Sequence, residues 1–277
     1  MRRKRKVNII IYVVCILLGL LSIMPFWIMI VNATRSTYQI QQHAVSLIPS
    51  TFFAKNWAVL VGKTFNPLTG FINSVIISTG STVCAVYFST LTAYALIAYE
   101  WKMRQPFFTM ILAVMMIPTQ VISIGFYQFM YRIGMTNNLL ALILPAIAAP
   151  MTVFSMRQYM MPSLNLDIVA SARIDGAGEF RTFNSIVLPI MKPAMATQAI
   201  FTYVTSWNNL FLPMILLTKK ENYTMPIMVS LLKGDIYKTE YGAVYLALTL
   251  SVLPLFIVYF ALSKYIIAGV ALGSVKE

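Results

Sequence analysis

Six long apolar runs, at 7–31, 71–98, 107–130, 139–156, 194–217 and 243–267, limit this chain more than anything else in it. None holds a charged residue except Lys264, near the end of the last. Each has at least 18 residues. At about 1.5 Å of rise per residue, a helix of that length nearly covers a hydrocarbon layer of about 30 Å, and modest extension or tilt completes the fit. The runs are continuous and lack the in-out alternation of barrel strands, which excludes a β-barrel. With 59% apolar and 10% charged residues, two small soluble domains are excluded as well. The fold class expected is an all-α membrane protein with six transmembrane helices embedded in a lipid bilayer.

Arg2, Arg3, Lys4, Arg5 and Lys6 precede the first run, as they would in a secretory signal. Signal cores are roughly 7–15 residues long, whereas 7–31 spans 25, so the segment is read as a retained span. The net charge of +13 raises nucleic acid as a partner, and the charge distribution excludes it. With the N-terminus inside, 13 of the 21 Lys and Arg residues fall on the inner side. Both termini are expected in the cytoplasm.

The eight acidic residues all lie outside the runs or at their ends. A proton-coupled carrier usually places an ionisable group at mid-membrane, and an intramembrane hydrolase needs carboxylates, histidine or metal ligands there. The chain offers neither, so any uphill movement draws energy from another polypeptide. Cys15 and Cys84 are read as small apolar residues, and the single histidine, His43, as solvated, so no disulfide, metal site or catalytic residue is expected. Gly62-Lys63-Thr64 imitates the end of a phosphate-binding loop, but Trp57 stands where that loop needs glycine. The chain is expected to bind no cofactor.

We divide the chain into an N-terminal span with its external segment, 1–70, and a core, 71–277, containing an inner loop at 157–193 and a cytoplasmic tail at 268–277. In the third run, Pro118 and Gly125 bracket polar residues, and a kink or local unwinding is expected there. Gln120, Ser123 and Tyr127 share a helical face. Gln198, Thr202, Thr205 and Asn209 form a second stripe, beside Trp207 and Asn208. Such stripes either line a polar translocation path or bond neighbouring helices together.

The inner loop is the most informative segment. Ser163 or Asn165 can cap a short helix, with Leu166, Val169, Ala170 and Arg173 on one face. Gly176 suits a left-handed helix terminus. A second short helix should begin near Glu179, bury Phe180 and Phe183, and stop before Pro189. Two short helices set at a sharp angle outside the bilayer are suited to docking in a cleft on a partner.

This loop resembles the EAA loop of ABC-importer permeases, whose core is E-A-A, three residues, G, nine residues, then I-x-L-P. Ala170-Ser171-Ala172 occupies the first place, Arg173-Ile174-Asp175 follows, then Gly176, nine residues, and Ile186-Val187-Leu188-Pro189. Asp175-Gly176-Ala177 and Pro193 agree as well. From about Phe71 onward, Trp207-Asn208, Pro213 and the stretch Gly269 to Lys276 resemble maltose-type sugar permeases, specifically the subunit whose tail reaches toward the ATPases.

The resemblance implies a heterodimer with a second permease, two cytoplasmic ATPase subunits that carry ATP and Mg, an external solute-binding protein and a sugar substrate. It implies an ATPase-coupling role for Asp167, Ala170, Ser171, Ala172, Arg173, Asp175, Gly176, Ala177, Phe180, Ile186, Leu188 and Pro189. It also suggests that the external segment with Lys233, Asp235, Tyr237 and Tyr241 touches the binding protein. Ala170 stands where the family has glutamate and Ser171 where it has an alanine, which weakens any ion pair to an ATPase that the resemblance would carry over. Asp167, a turn earlier, either substitutes or is a solvated acid at a helix N-terminus. An ion-coupled secondary transporter and a non-transporting membrane scaffold are the rival readings. The absent intramembrane acids count against the first and the EAA-like loop against the second.

Overall fold

The computed structural model describes residues 2–62, 66–232 and 239–273, with side chains described at 11–62, 66–232 and 239–263. The described secondary structure is helical throughout. In chain order the helices are α1 (Arg2–Ala33), α2 (Thr37–Gln42), α3 (Phe53–Gly62), α4 (Pro67–Ala98), α5 (Arg104–Met115) and α6 (Thr119–Arg132), followed by α7 (Leu140–Ile143), α8 (Pro150–Ser163), α9 (Leu166–Ile174) and α10 (Glu179–Thr182). After a widened turn at Phe183–Val187 come α11 (Leu188–Trp207), α12 (Phe211–Leu216), α13 (Met225–Leu232) and α14 (Tyr241–Gly273).

Among the described residues, four helical segments are long and apolar enough to cross a membrane: Ile11–Ala33, Pro67–Ala98, Leu140–Ser163 and Tyr241–Ser263. The pair α5 and α6 makes a fifth if it is one broken span, bent by 99°. The break falls at the Pro118 end of the stretch where a kink was expected, and α6 runs on as regular helix through Gly125. Pro118 caps α6 in an extended conformation and has no amide proton to continue the ladder from α5. The run at 194–217 is divided, because α11 ends at Trp207 and α12 starts at Phe211. α11 has 20 residues, and Lys192, two prolines and its Thr and Gln residues leave it less apolar than the four.

The chain forms two compact units. The first comprises 1–67 and 228–253. Its apolar α1 exposes Ile11, Leu17, Leu21 and Trp27, as a lipid-facing helix does. Just beyond α1, the buried Arg35 guanidinium is held by the Asn32 side chain at 3.0 Å and by the carbonyls of His43 and Gln39 at 2.6 and 2.9 Å. The Asn56 amide donates to the carbonyls of Ala33 and Arg35 at 2.8 and 2.9 Å. Gly242 packs so closely here that a Cβ would overlap the Arg35 carbonyl and the Asn56 side chain.

The second unit comprises 68–227 and 254–277. Its axis is α4, whose 32 residues make it about 48 Å long at the usual rise. Ser74, Ser78, Ser81, Ala85, Ser89 and Ala93 give α4 a small-residue face that other helices can approach closely. Near its start, Ile77 joins a core with Met130, Leu142, Leu216 and Ile227. Near its end, Ala93 and Tyr94 join a second core with Met156, Met160, Val169, Phe183, Val187 and Met191. That second core seats the inner loop.

Candidate functional site

The site is assembled from α9, the turn after it, α10 and the end of α4. Asn165 caps α9, its side chain accepting from the Asp167 amide at 2.9 Å. At the other end, Gly176 has φ of 80°. Its amide donates to the Arg173 carbonyl at 3.0 Å, and that of Ala177 to the Ala172 carbonyl at 2.9 Å. This paired closure is a Schellman motif, which requires the left-handed residue that the sequence supplies as glycine.

The buried face of the loop differs in part from the expected one. Val169 and Ala172 pack inward, while Leu166, Ala170 and Arg173 are exposed. Phe183 is buried at 1% exposure, whereas Phe180 is 73% exposed. Phe180 stands within α10, whereas Phe183 lies past its end at the start of the widened turn, and only Phe183 reaches Tyr94 and Tyr87, at centroid distances of 5.6 and 5.7 Å.

The second helix also does not stop before Pro189. The Leu188 amide bonds to the Phe183 carbonyl five residues back, and the chain continues directly into α11. The widened turn lies immediately before the proline, which lacks the proton an ordinary ladder would need. Within the inner loop, Asp167, Ser171 and Asp175 are exposed with Gly176 and Pro189, while Ala177, Ile186 and Leu188 are half-buried.

Between the two helices stands a cluster of which the sequence pointed to Arg173 alone as a coupling residue, leaving Glu179, Tyr94 and Tyr99 without a role. Arg173 donates to Glu179 twice, from Nε to Oε1 at 2.7 Å and from Nη2 to Oε2 at 3.3 Å. The hydroxyls of Tyr94, at 3.3 Å, and of Tyr99 donate to the same Oε2. The Arg173 guanidinium lies 5.1 Å from the Tyr99 ring centroid. The hydrogen bonds from Arg173, then from Tyr99, hold the Glu179 carboxyl below its ordinary range. The bond to Glu179 raises Arg173 in turn, so both charges persist. Burial, then the bond to Glu179, pushes the Tyr99 hydroxyl up. Opposite charges six residues apart on either side of a glycine turn were the available signal; the tyrosines came from α4 and its exit, which spacing does not reveal.

The two polar stripes are arranged differently. In α6, Ser123 is buried and donates to the Gln120 carbonyl at 2.7 Å, while the Gln120 and Tyr127 side chains are exposed. In α11, Gln198 and Thr202 are half-buried and Thr205 is exposed. Trp207 is buried against Phe71 and Tyr203, both at 5.9 Å. Asn208 is exposed, and the Asn209 side chain accepts from the Leu212 amide at 3.4 Å, at the entry to α12. Lys233, Asp235 and Tyr237 lie outside the described residues. Tyr241 is exposed at the head of α14, and its amide donates to Thr37 Oγ1 at 3.1 Å.

The family model described as "Binding-protein-dependent transport system inner membrane component" matches residues 85–271. The chain belongs to this family. It is therefore a membrane-embedded permease component of a binding-protein-dependent transport system, and the match covers the inner loop. Among its relatives, the arabinooligosaccharides transport system permease protein AraQ of Halalkalibacterium halodurans is 32% identical over 94% of this chain and 93% of that protein. The lactose transport system permease protein LacG of Rhizobium radiobacter is 31% identical over 99% and 98%. The sn-glycerol-3-phosphate transport system permease protein UgpE of Yersinia enterocolitica is 27% identical over 96% of each. In the crystal structure of a bacterial ABC transporter involved in the import of the acidic polysaccharide alginate, one chain superposes with a TM-score of 0.78 at 23% identity, covering 96% of this chain and 98% of that one. That likeness shows the shared fold.

Proposed function

We infer that this permease is one half of the membrane conduit of an ATP-driven importer, and that it passes a sugar or oligosaccharide delivered by an external solute-binding protein. In this reading it pairs with a second permease and two cytoplasmic ATPase subunits, and it binds no cofactor itself. The chain crosses the membrane six times with both termini inside, α11 supplying a crossing and α5 with α6 forming one broken span. The observation that carries the reading is the form of the inner loop. Its two short helices meet at Gly176 and are seated on the core by Val169, Ala172 and Phe183, while Ile174 and Phe180 stand 86% and 73% exposed. Apolar residues displayed at the tip of an anchored elbow suit a cleft on a partner. Support for a sugar comes from relatives named for arabinooligosaccharide and lactose transport.

The test is reconstitution of the chain with its partner subunits in liposomes, with binding protein and labelled oligosaccharide supplied outside. Uptake that needs both internal ATP and binding protein is expected. Uptake that follows an ion gradient without ATP would overturn the reading.

A further inference from the structure

We propose that Glu179 is a positioning residue: it clasps the two short helices of the inner loop to the end of α4, so that a displacement of the loop reaches the spans as one rigid movement. The proposal rests on the importer reading above and deepens it.

The backbone joint between α9 and α10 is bare. A Cβ added at Gly176 or at Gly178 would meet nothing within 4 Å, so no packing at the turn itself fixes the angle between the helices. That angle is held from the side. Arg173 stands at the last turn of α9 and Glu179 at the first position of α10, joined by the two bonds at 2.7 and 3.3 Å. A forked guanidinium on a carboxylate fixes direction as well as distance.

The second oxygen of the same carboxylate accepts from Tyr94, in α4, and from Tyr99, just beyond it. Tyr94 is buried in the core and packs on Phe183 and on the Tyr99 ring at 5.6 and 5.8 Å. Tyr87, two turns earlier in α4, donates to the Asn184 side chain at 3.2 Å and meets the Phe183 ring edge-on at 5.7 Å. One carboxylate therefore ties α9 and α10 to α4.

The clasp is also next to the surface on which a partner would act. Ile174 follows Arg173 and Phe180 follows Glu179, and these are the strongly exposed apolar residues of the elbow. Force applied to either is passed directly to a clasp residue. A surface ion pair that only stabilised the fold would behave differently, since the Arg173 and Glu179 side chains are 38% and 46% exposed and such pairs contribute little to stability. Loss of the clasp should therefore leave the protein folded and affect what is transmitted through it.

The experiment compares Glu179→Gln, Tyr99→Phe and their combination in complexes reconstituted with the second permease, the ATPases and the binding protein. Three quantities are read: membrane yield, ATPase retained, and solute moved per ATP hydrolysed. Yield and retention should stay within about twofold of native, as expected for an exposed pair. Solute per ATP should fall about threefold or more in Glu179→Gln, within the range over which single residues alter coupling between sites. The combination should fall no further than Glu179→Gln, because both changes act on the same carboxylate. An unchanged ratio in Glu179→Gln, losses that multiply in the combination, or a lower yield with a native ratio in the surviving complex would each overturn the clasp. Native complexes lacking ATP-coupled uptake would instead overturn the importer reading, and the clasp with it.

Discussion

At the scale of single residues, Gly176 and Glu179 impose different demands. Gly176 needs a left-handed backbone, with φ of 80°, but has open space around it. A substitution there is penalised by conformation and not by collision. Gly176→Val should introduce roughly 1–3 kcal/mol of backbone strain. The elbow can relieve that strain by changing angle. Gly176→Val should keep its membrane abundance yet lose ATPase docking or solute-stimulated hydrolysis, while Gly176→Asn, a residue more tolerant of this region, should be milder. Equal behaviour of the two variants in copurification and hydrolysis assays would refute the conformational argument. Glu179 makes a prediction through its charge. Its carboxyl titrates below the ordinary range, so its bonds contribute fully above that range and are lost only as pH falls through the lowered value. Solute moved per ATP should therefore stay flat between about pH 7.5 and about pH 5.5, above the ordinary glutamate value of about 4.3. A decline in that interval that Glu179→Gln abolishes would contradict the assignment.

At the scale of elements, the inner loop shows how far local pattern reaches. The cap, which the sequence left to Ser163 or Asn165 and the fold places at Asn165, the helix after it and the turn at Gly176 were legible, because each is decided by residues within a few positions of one another. The opposite fates of Phe180 and Phe183 were not legible, because α10 is a single turn whose inward edge is chosen by Tyr94 and Tyr87 on α4, distant in sequence. The continuation through Pro189 was hidden for another reason. A proline ordinarily ends a helix, and here the five-residue turn at Phe183–Val187 carries the chain across it. The two phenylalanines can be separated by experiment. Phe183→Ala opens the core and should cost about 3–5 kcal/mol, seen as reduced membrane abundance or earlier thermal unfolding. Phe180→Ala removes an exposed ring and should leave stability near native while weakening ATPase copurification. If Phe180→Ala destabilises as much as Phe183→Ala, the orientation of α10 described here is wrong.

At the scale of the whole molecule, the number of crossings depends on α11. Four described helical segments have the length and apolar content of a span, and the broken pair α5 and α6, counted as one span, brings the number to five. Five crossings with the N-terminus inside would leave the C-terminus outside, whereas the proposed six-span topology, in which 13 of the 21 Lys and Arg residues fall inside, has an even number. α11 resolves the parity if it crosses, although its 20 residues include Gln198, Thr202 and Thr205. Polar residues are accommodated in a span where they face other helices or a water-filled path, and Gln198 and Thr202 are half-buried against neighbours. Lys192 near the start of α11 and Lys219 after α12 are both exposed, so they report the two sides. In a background lacking Cys15 and Cys84, a cysteine replacing Lys219 should react with an impermeant reagent added to intact cells. Cysteines replacing Lys192, Arg2 or Lys276 should react only after the membrane is opened. Equal external labelling at 192 and 219 would show that α11 does not cross, and external labelling at 276 would give the chain an odd number of spans.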